Sequence, residues 1–217
     1  MKIKWLGHST FLITSDSGTR IITDPYTTGD EYNLSYGEIK ETADIVTISH
    51  DHFDHNNVTA VQGNPEVVRE VPVVTVKGIE FRGISCCHDE AGGKLRGKNI
   101  IFCFEVDGIR ICHLGDLGHQ LTDKQVAELG MVDILFIPVG GIYTIDAKGA
   151  SQLCERLKPK VIIPMHYKTD RGGYELAGVD EFLSGKEDVV RLDASEKEFA
   201  QKELPTATQI IVLKPAL

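Results

Sequence analysis

The segment His50-Asp51-His52-Phe53-Asp54-His55 puts three histidines and two aspartates into six positions. Imidazole nitrogens and carboxylate oxygens are ligands of zinc and of other borderline divalent metals. The pattern His-x-His-x-Asp-His is too dense for a single tetrahedral ion, which gathers its four donors around one centre. Sequence-adjacent side chains point in different directions. His50 and His52 can therefore hold one ion while Asp54 and His55 reach a second. The plain alternative is a polar loop with incidental histidines, but chance rarely concentrates so many ligand types in so short a stretch.

Such a cluster needs rigid elements to deliver it. The apolar run Ile45-Val46-Thr47-Ile48 leads into it as a buried strand leads into a loop. Three further apolar runs end in the same way, at Cys87 before His88, at Leu114 before Asp116 and at Ile163 before His166. Four strand ends carrying ligand types imply one gathering point at one sheet edge. Thr23-Asp24-Pro25 closes an earlier strand, since proline leaves the ladder, and it leaves Asp24 at that strand's end.

Further β-like runs are expected at residues 3–6, 10–14, 20–23, 73–76, 79–85, 99–106, 109–114, 132–139, 161–164, 189–192 and 209–213. Asp107-Gly108 predicts a type I′ hairpin between two of them. Helices are expected over 56–62, from a capping box at Thr122 to Leu129, from an Asp146 cap to Leu157, and over 179–183. Residues 26–42 show no period and are expected as a long loop over the site. Strands and helices interspersed in both halves fit sheets covered by helices.

The 217 residues suit one domain or a tightly fused pair of halves, with 41% apolar residues to build a core. The formal charge of −9 disfavours nucleic acid and anionic membranes as partners. Residues 1–8 lack the apolar core of a signal peptide, and no stretch approaches a membrane span. Cys86, Cys87, Cys103, Cys112 and Cys154 are odd in number, have no C-x-x-C spacing and mostly sit in apolar runs. Free thiols in a reducing, cytoplasmic setting are expected. Cys87, beside His88, is weighed as a ligand against a packing role.

His50-x-His52-x-Asp54-His55, followed by a lone His88, a Gly-Asp116 and a late His166, resembles the metallo-β-lactamase superfamily over essentially the whole chain. Trp5-Leu6-Gly7-His8-Ser9-Thr10-Phe11, Thr23-Asp24-Pro25, His113-Leu114-Gly115-Asp116 and Pro138-Val139-Gly140-Gly141 are most similar to its broad branch of zinc-dependent hydrolases of β-lactamase fold. That branch includes ascorbate-6-phosphate lactonases and an N-acyl phosphatidylethanolamine phospholipase. The resemblance implies an α/β (α+β) fold, a four-layer αββα sandwich of two pseudo-symmetric halves, with residues 1–217 as a single domain and the site at one edge.

By position, the resemblance also implies two divalent metal ions, zinc first, with manganese or iron suited to the same donors. His50, His52 and His88 would hold one ion. Asp54, His55 and His166 would hold the other, and Asp116 would bridge them. Asp24 would accept a hydrogen bond from a ligand histidine and fix its orientation, and His8 would stand close behind the site. A hydroxide shared by the ions would be the nucleophile, with Asp54 and Asp116 the catalytic residues and Asp54 orienting the nucleophile and taking its proton.

Arg96 and Asn99, in the loop after His88, are expected to meet an anionic group of the substrate, with Tyr143, Lys168 and Tyr174 as further pocket-lining candidates. His113 is expected in the core and His119 at the rim. The leading reading is hydrolysis of a small-molecule ester, lactone, amide or phosphodiester, with homo-oligomerisation left open. A non-catalytic metal-binding protein and a nuclease or phosphodiesterase of the same superfamily are the alternatives. Superfamily nucleases usually carry an additional domain or RNA-binding arm, for which this acidic chain has no obvious room. Diiron flavoproteins rank lower, since they have Glu where this chain has His52. So do glutathione-thioester hydrolases, whose basic C-terminal helical region has no counterpart in residues 175–217.

Overall fold

The structure, a computed structural model, describes residues 1–172 and 175–217. Its first strands are β1 (Lys2–Gly7), β2 (Thr10–Thr14), β3 (Arg20–Thr23), β4 (Ile45–Thr47) and β5 (Glu66–Val68). Then come β6 (Val73–Val76), β7 (Ile79–Cys87), β8 (Lys98–Val106) and β9 (Ile109–His113). Helix α1 (Asp123–Leu129), β10 (Ile134–Pro138), α2 (Ala147–Leu157), β11 (Val161–Met165) and α3 (Val179–Leu183) alternate after them. The chain finishes with β12 (Val189–Arg191), β13 (Glu196–Glu198) and β14 (Gln209–Val212). One sheet has the order β13-β1-β2-β3-β4-β5 and the other β12-β14-β11-β10-β9-β8-β7-β6.

Alternation along the strands of the first sheet separates its faces. Ile21 and Ile45 enter the core shared with the second sheet, while their neighbours Ile22 and Val46 join a separate outer cluster. The two sheets meet where the ring of Phe11 on β2 stacks on Phe136 of β10, 4.1 Å between centroids. Every residue of β10 and β11 is buried. Parallel strands covered on both faces read as continuous apolar runs for that reason. Leu153 and Leu157 of α2 and Phe182 of α3 add to the same core.

The outer layer of the first sheet departs from expectation. Residues 56–62 do not form a helix, and only a 3₁₀ turn occurs, over Val58–Ala60. The Asn57 backbone N–H donates to Pro25 O at 2.8 Å, tying this segment to the preceding loop rather than to a helical ladder. The coat is supplied by residues 26–42, whose Tyr26, Leu34, Tyr36 and Ile39 are buried against Ile22 and Val46. That loop was expected over the site. It lies instead on the sheet's outer face, and at the rim its Tyr32 ring packs 5.1 Å from that of Phe53.

Strand direction gathers the chemistry. β3 and β4 run parallel, as do β9, β10 and β11. Asp24, His50, Asp116 and His166 therefore all emerge past carboxyl ends of strands, where open α/β sheets bind ligands.

Candidate metal centre

Sharp backbone reversals aim the ligand-type side chains inward. His8, Asp24 and His166 each adopt a positive φ, of 50°, 39° and 49° respectively. Left-handed backbone is uncommon for residues other than glycine and concentrates at functional sites. Gly115, at φ +53°, has no such latitude, because a β-carbon there would fall 2.4 Å from Asn99 Oδ1 and 2.6 Å from Ser49 Cβ. A bare backbone at this point lets Asp116 enter the site.

Asp24 organises one side of the centre. Fully buried, it accepts from the Ser49 backbone N–H at 2.8 Å, from the Ser49 hydroxyl, and from His55 Nδ1 at 2.9 Å. Burial alone would raise its pKa, but the His55 hydrogen bond and the surrounding imidazoles hold the carboxyl below its usual range. An ionised carboxylate only accepts, so His55 carries a proton on Nδ1 and turns Nε2 inward. The same reasoning reaches His50. The Ser49 hydroxyl gives its proton to Asp24, so its oxygen accepts from His50 Nδ1 at 2.9 Å, leaving Nε2 as a lone-pair donor.

The inward atoms converge on a single oxygen. Asp116 Oδ2 lies 3.2 Å from Nε2 of His55, of His88 and of His166, and 4.0 Å from Nε2 of His50. His50 Nε2 lies 3.0 Å from His52 Nδ1. Donors at ~2.0–2.1 Å from one tetrahedral ion stand roughly 3.3 Å from each other, so this spacing is that of a coordination shell. Two donor sets are separable. His50, His52 and His88 form one, and His8, Asp54, His55 and His166 the other. Asp116 Oδ2 touches members of both. Asp24 also lies near His50 and His55, but its oxygens are occupied by the Ser49 and His55 donors.

Buried polar atoms without hydrogen-bond partners mark the same spot, His55 Nε2 and Asp116 Oδ1 among them. Such atoms are costly unless something satisfies them. Protonation states agree. Burial, then the neighbouring His55, pushes His50 down to about 3, and burial, then His166, pushes His8 down to about 4. Burial would raise Asp116, but His166 and His55 hold it well below the carboxylate range. Burial would likewise raise Asp54, and His55 and His8 keep it low. His55 is the exception: Asp116 and Asp54 more than offset its burial and raise it, so its Nε2 would give up a proton to a binding cation. Ionised carboxylates around imidazole lone pairs are the donor chemistry of a divalent cation, and these residues fit one.

Around this centre the structure sorts the remaining candidates. His8 Nε2 meets Asp54 Oδ2 at 3.2 Å, on the second donor set. His113 lies in the core, donating from Nε2 to Ser9 O and accepting the Gly115 N–H at Nδ1. His119, half-buried, accepts the Cys87 N–H. Cys87 enters neither donor set among the described residues. Asn99, expected to meet substrate, is corrected. It is fully buried, and its amide donates to Leu114 O and accepts from the Asp116 N–H, bracing the turn that presents Asp116. Lys168 is exposed and does not line the metal-side cavity, and Tyr174 lies outside the described residues. Arg96 does line that cavity, of about 360 Å³, with His52, Phe53, Asp54, His88 and Tyr143. Its guanidinium sits 5.4 Å from the Tyr143 ring centroid. Sequence reasoning missed Asp89, whose carboxylate accepts the N–H groups of Ala91, Gly93, Leu95 and Arg96. The closely spaced glycines after it were the available signal.

Two packed sheets with histidines and aspartates converging past strand ends define a centre of the metallo-β-lactamase type. Residues 2–166 match the family described as the β-lactamase superfamily domain, and the chain belongs to that superfamily. It is 30% identical to a UPF0173 metal-dependent hydrolase of Archaeoglobus fulgidus, over 78% of this chain and 84% of that one. A UPF0173 metal-dependent hydrolase of Carboxydothermus hydrogenoformans is 31% identical over 78% of this chain and 85% of its own. Among solved structures, a metallo-β-lactamase superfamily protein of Thermotoga maritima is 39% identical and superposes with a TM-score of 0.80, covering 98% of this chain and 97% of that one.

Proposed function

We propose that this chain is a metal-dependent hydrolase that uses two divalent cations, zinc first, to cleave a small anionic ester, lactone, amide or phosphodiester. The observation that carries this reading is the position of Asp116 Oδ2, 3.2 Å from imidazoles belonging to both donor sets. His50, His52 and His88 would hold one cation, Asp54, His55 and His166 the other, with Asp116 between them. Relatives described as metal-dependent hydrolases, and a Thermotoga maritima structure described as a candidate zinc-dependent hydrolase, support it. Bound cations of this kind acidify water towards neutrality and withdraw charge from a scissile group.

The protein's own contribution is orientation and proton handling. Asp24 and Ser49 engage Nδ1 of His55 and His50 and turn their Nε2 atoms towards the centre. Asp54 Oδ2, steadied by His8 Nε2, orients the attacking water and takes its proton. Arg96, which forms no ion pair with a carboxylate among the described residues, receives the anionic group of the substrate. The acidic balance of 32 against 23 charged residues argues for a small anion over nucleic acid. Five free cysteines suit a reducing, cytoplasmic location, and residues 1–217 are read as one unit.

Metal analysis of the purified protein, followed by lactone, phosphodiester, ester and thioester panels, tests the proposal. Asp116→Ala should lose metal and turnover together, and full activity in that variant would remove the bridging assignment. Arg96→Ala should raise KM for anionic substrates and spare metal content, whereas an unchanged KM would return Arg96 to the surface. Stoichiometric metal with no turnover on any panel would favour a binding protein over an enzyme.

A further inference from the structure

Four large apolar side chains that the fold leaves exposed, Phe53, Leu95, Ile142 and Tyr143, stand around the metal-side cavity and the groove beside it. The groove, of about 580 Å³, shares His88, Arg96 and Tyr143 with the metal-side cavity and continues past them to Leu95 and Ile142. Leu95 is 74% exposed and Ile142 56%, levels that need a reason when the residues are neighbours on one cleft. Ile142 also adopts φ +60°. A β-branched residue in left-handed backbone is a genuine outlier, and Asn or Gly would sit there with less strain. An exposed isoleucine held in an unfavourable conformation at a cleft points to a use for its side chain.

The polar groups of the groove are largely committed elsewhere. Asp89 is occupied by four backbone N–H groups, Asp146 caps α2 through the Gly149 N–H, and the Gln120 amide donates to Gly149 O. Glu90, exposed at the groove's edge, would repel a second anionic group there. Among the described residues, the one cation common to cavity and groove is Arg96, its guanidinium over the Tyr143 ring.

We propose that the substrate is amphiphilic, with its anionic, hydrolysable end beside Arg96 and the metal ligands, and an uncharged apolar arm laid over Tyr143 towards Leu95 and Ile142. This rests on the hydrolase reading for the end that is cleaved, but not for the arm. Calorimetric titration of metal-loaded protein with acetate, butanoate, hexanoate and octanoate reads the arm directly. Affinity should tighten by about tenfold or more from acetate to hexanoate as methylenes leave water. Leu95→Ser and Ile142→Asn should each flatten that gradient with metal content unchanged, and Ile142→Asn should raise the melting temperature while doing so. Equal affinity for acetate and hexanoate, or a gradient that survives both substitutions, would overturn the proposal. A gradient in binding without turnover of any matching ester would remove hydrolysis and leave the arm site. Turnover indifferent to arm length would do the reverse.

Discussion

On the proposed reading, Asp24 would contribute to cation binding without offering the cation an atom. Its two oxygens fix the ring orientations of His55 and, through Ser49, of His50. Loss of such an outer partner typically costs ~10–100-fold in metal affinity. Asp24→Ala should show that loss in a competition titration with a chromophoric chelator. It should also lower chemical stability by about 1–3 kcal/mol, because the buried Ser49 N–H is left without an acceptor. The clustered histidines and aspartates were legible in the sequence because type and spacing carry their chemistry. His50, His52, Asp54 and His55 needed no fold to be noticed. Asn99 was misread because an amide beside a loop looks the same whether it faces water or, as found, the backbone of Leu114 and Asp116. Gly115→Ala should confirm the tightness of that turn by lowering metal content, since Asn99 and Ser49 leave no space for a methyl group.

At the level of elements, the segment from Asp89 to Gly97 is a loop built around one carboxylate. Burial would raise the Asp89 pKa, but its four N–H donors outweigh that and hold it at about 2. Asp89→Ala should release the loop that carries Leu95 and Arg96. A KM for anionic substrates raised severalfold, with a smaller change in kcat, is the outcome steady-state kinetics should return. Helix ends were readable in advance. Thr122 forms its reciprocal capping box with Gln125, and Asp146 accepts the Gly149 N–H at 2.7 Å. The two short edge strands of the first sheet were not readable. Glu66-Val67-Val68 and Glu196-Lys197-Glu198 carry no apolar alternation, and only a neighbouring strand makes them extended. The predicted helix over 56–62 failed because tertiary hydrogen bonds to the 24–43 segment outcompeted a short, uncapped helical turn.

For the whole molecule, candidate ligands drawn from both sheets would make a bound metal a cross-link between them. His50, His52, Asp54 and His55 follow a strand of the first sheet, while His88, Asp116 and His166 follow strands of the second. Whatever binds the folded state alone stabilises it by mass action. Chelator treatment should therefore lower the melting temperature by several degrees, and scanning calorimetry with and without restored zinc measures it. The two sheets are unequally clad. The second carries α1, α2 and α3, while the first is covered by an irregular strap of chain with two buried tyrosines. Amide deuteration should expose that inequality. Stripped of ions, the strap and the turn through residues 50–55 should take up label well before β10 and β11, so that the reactive edge is also the seam along which the protein first breathes.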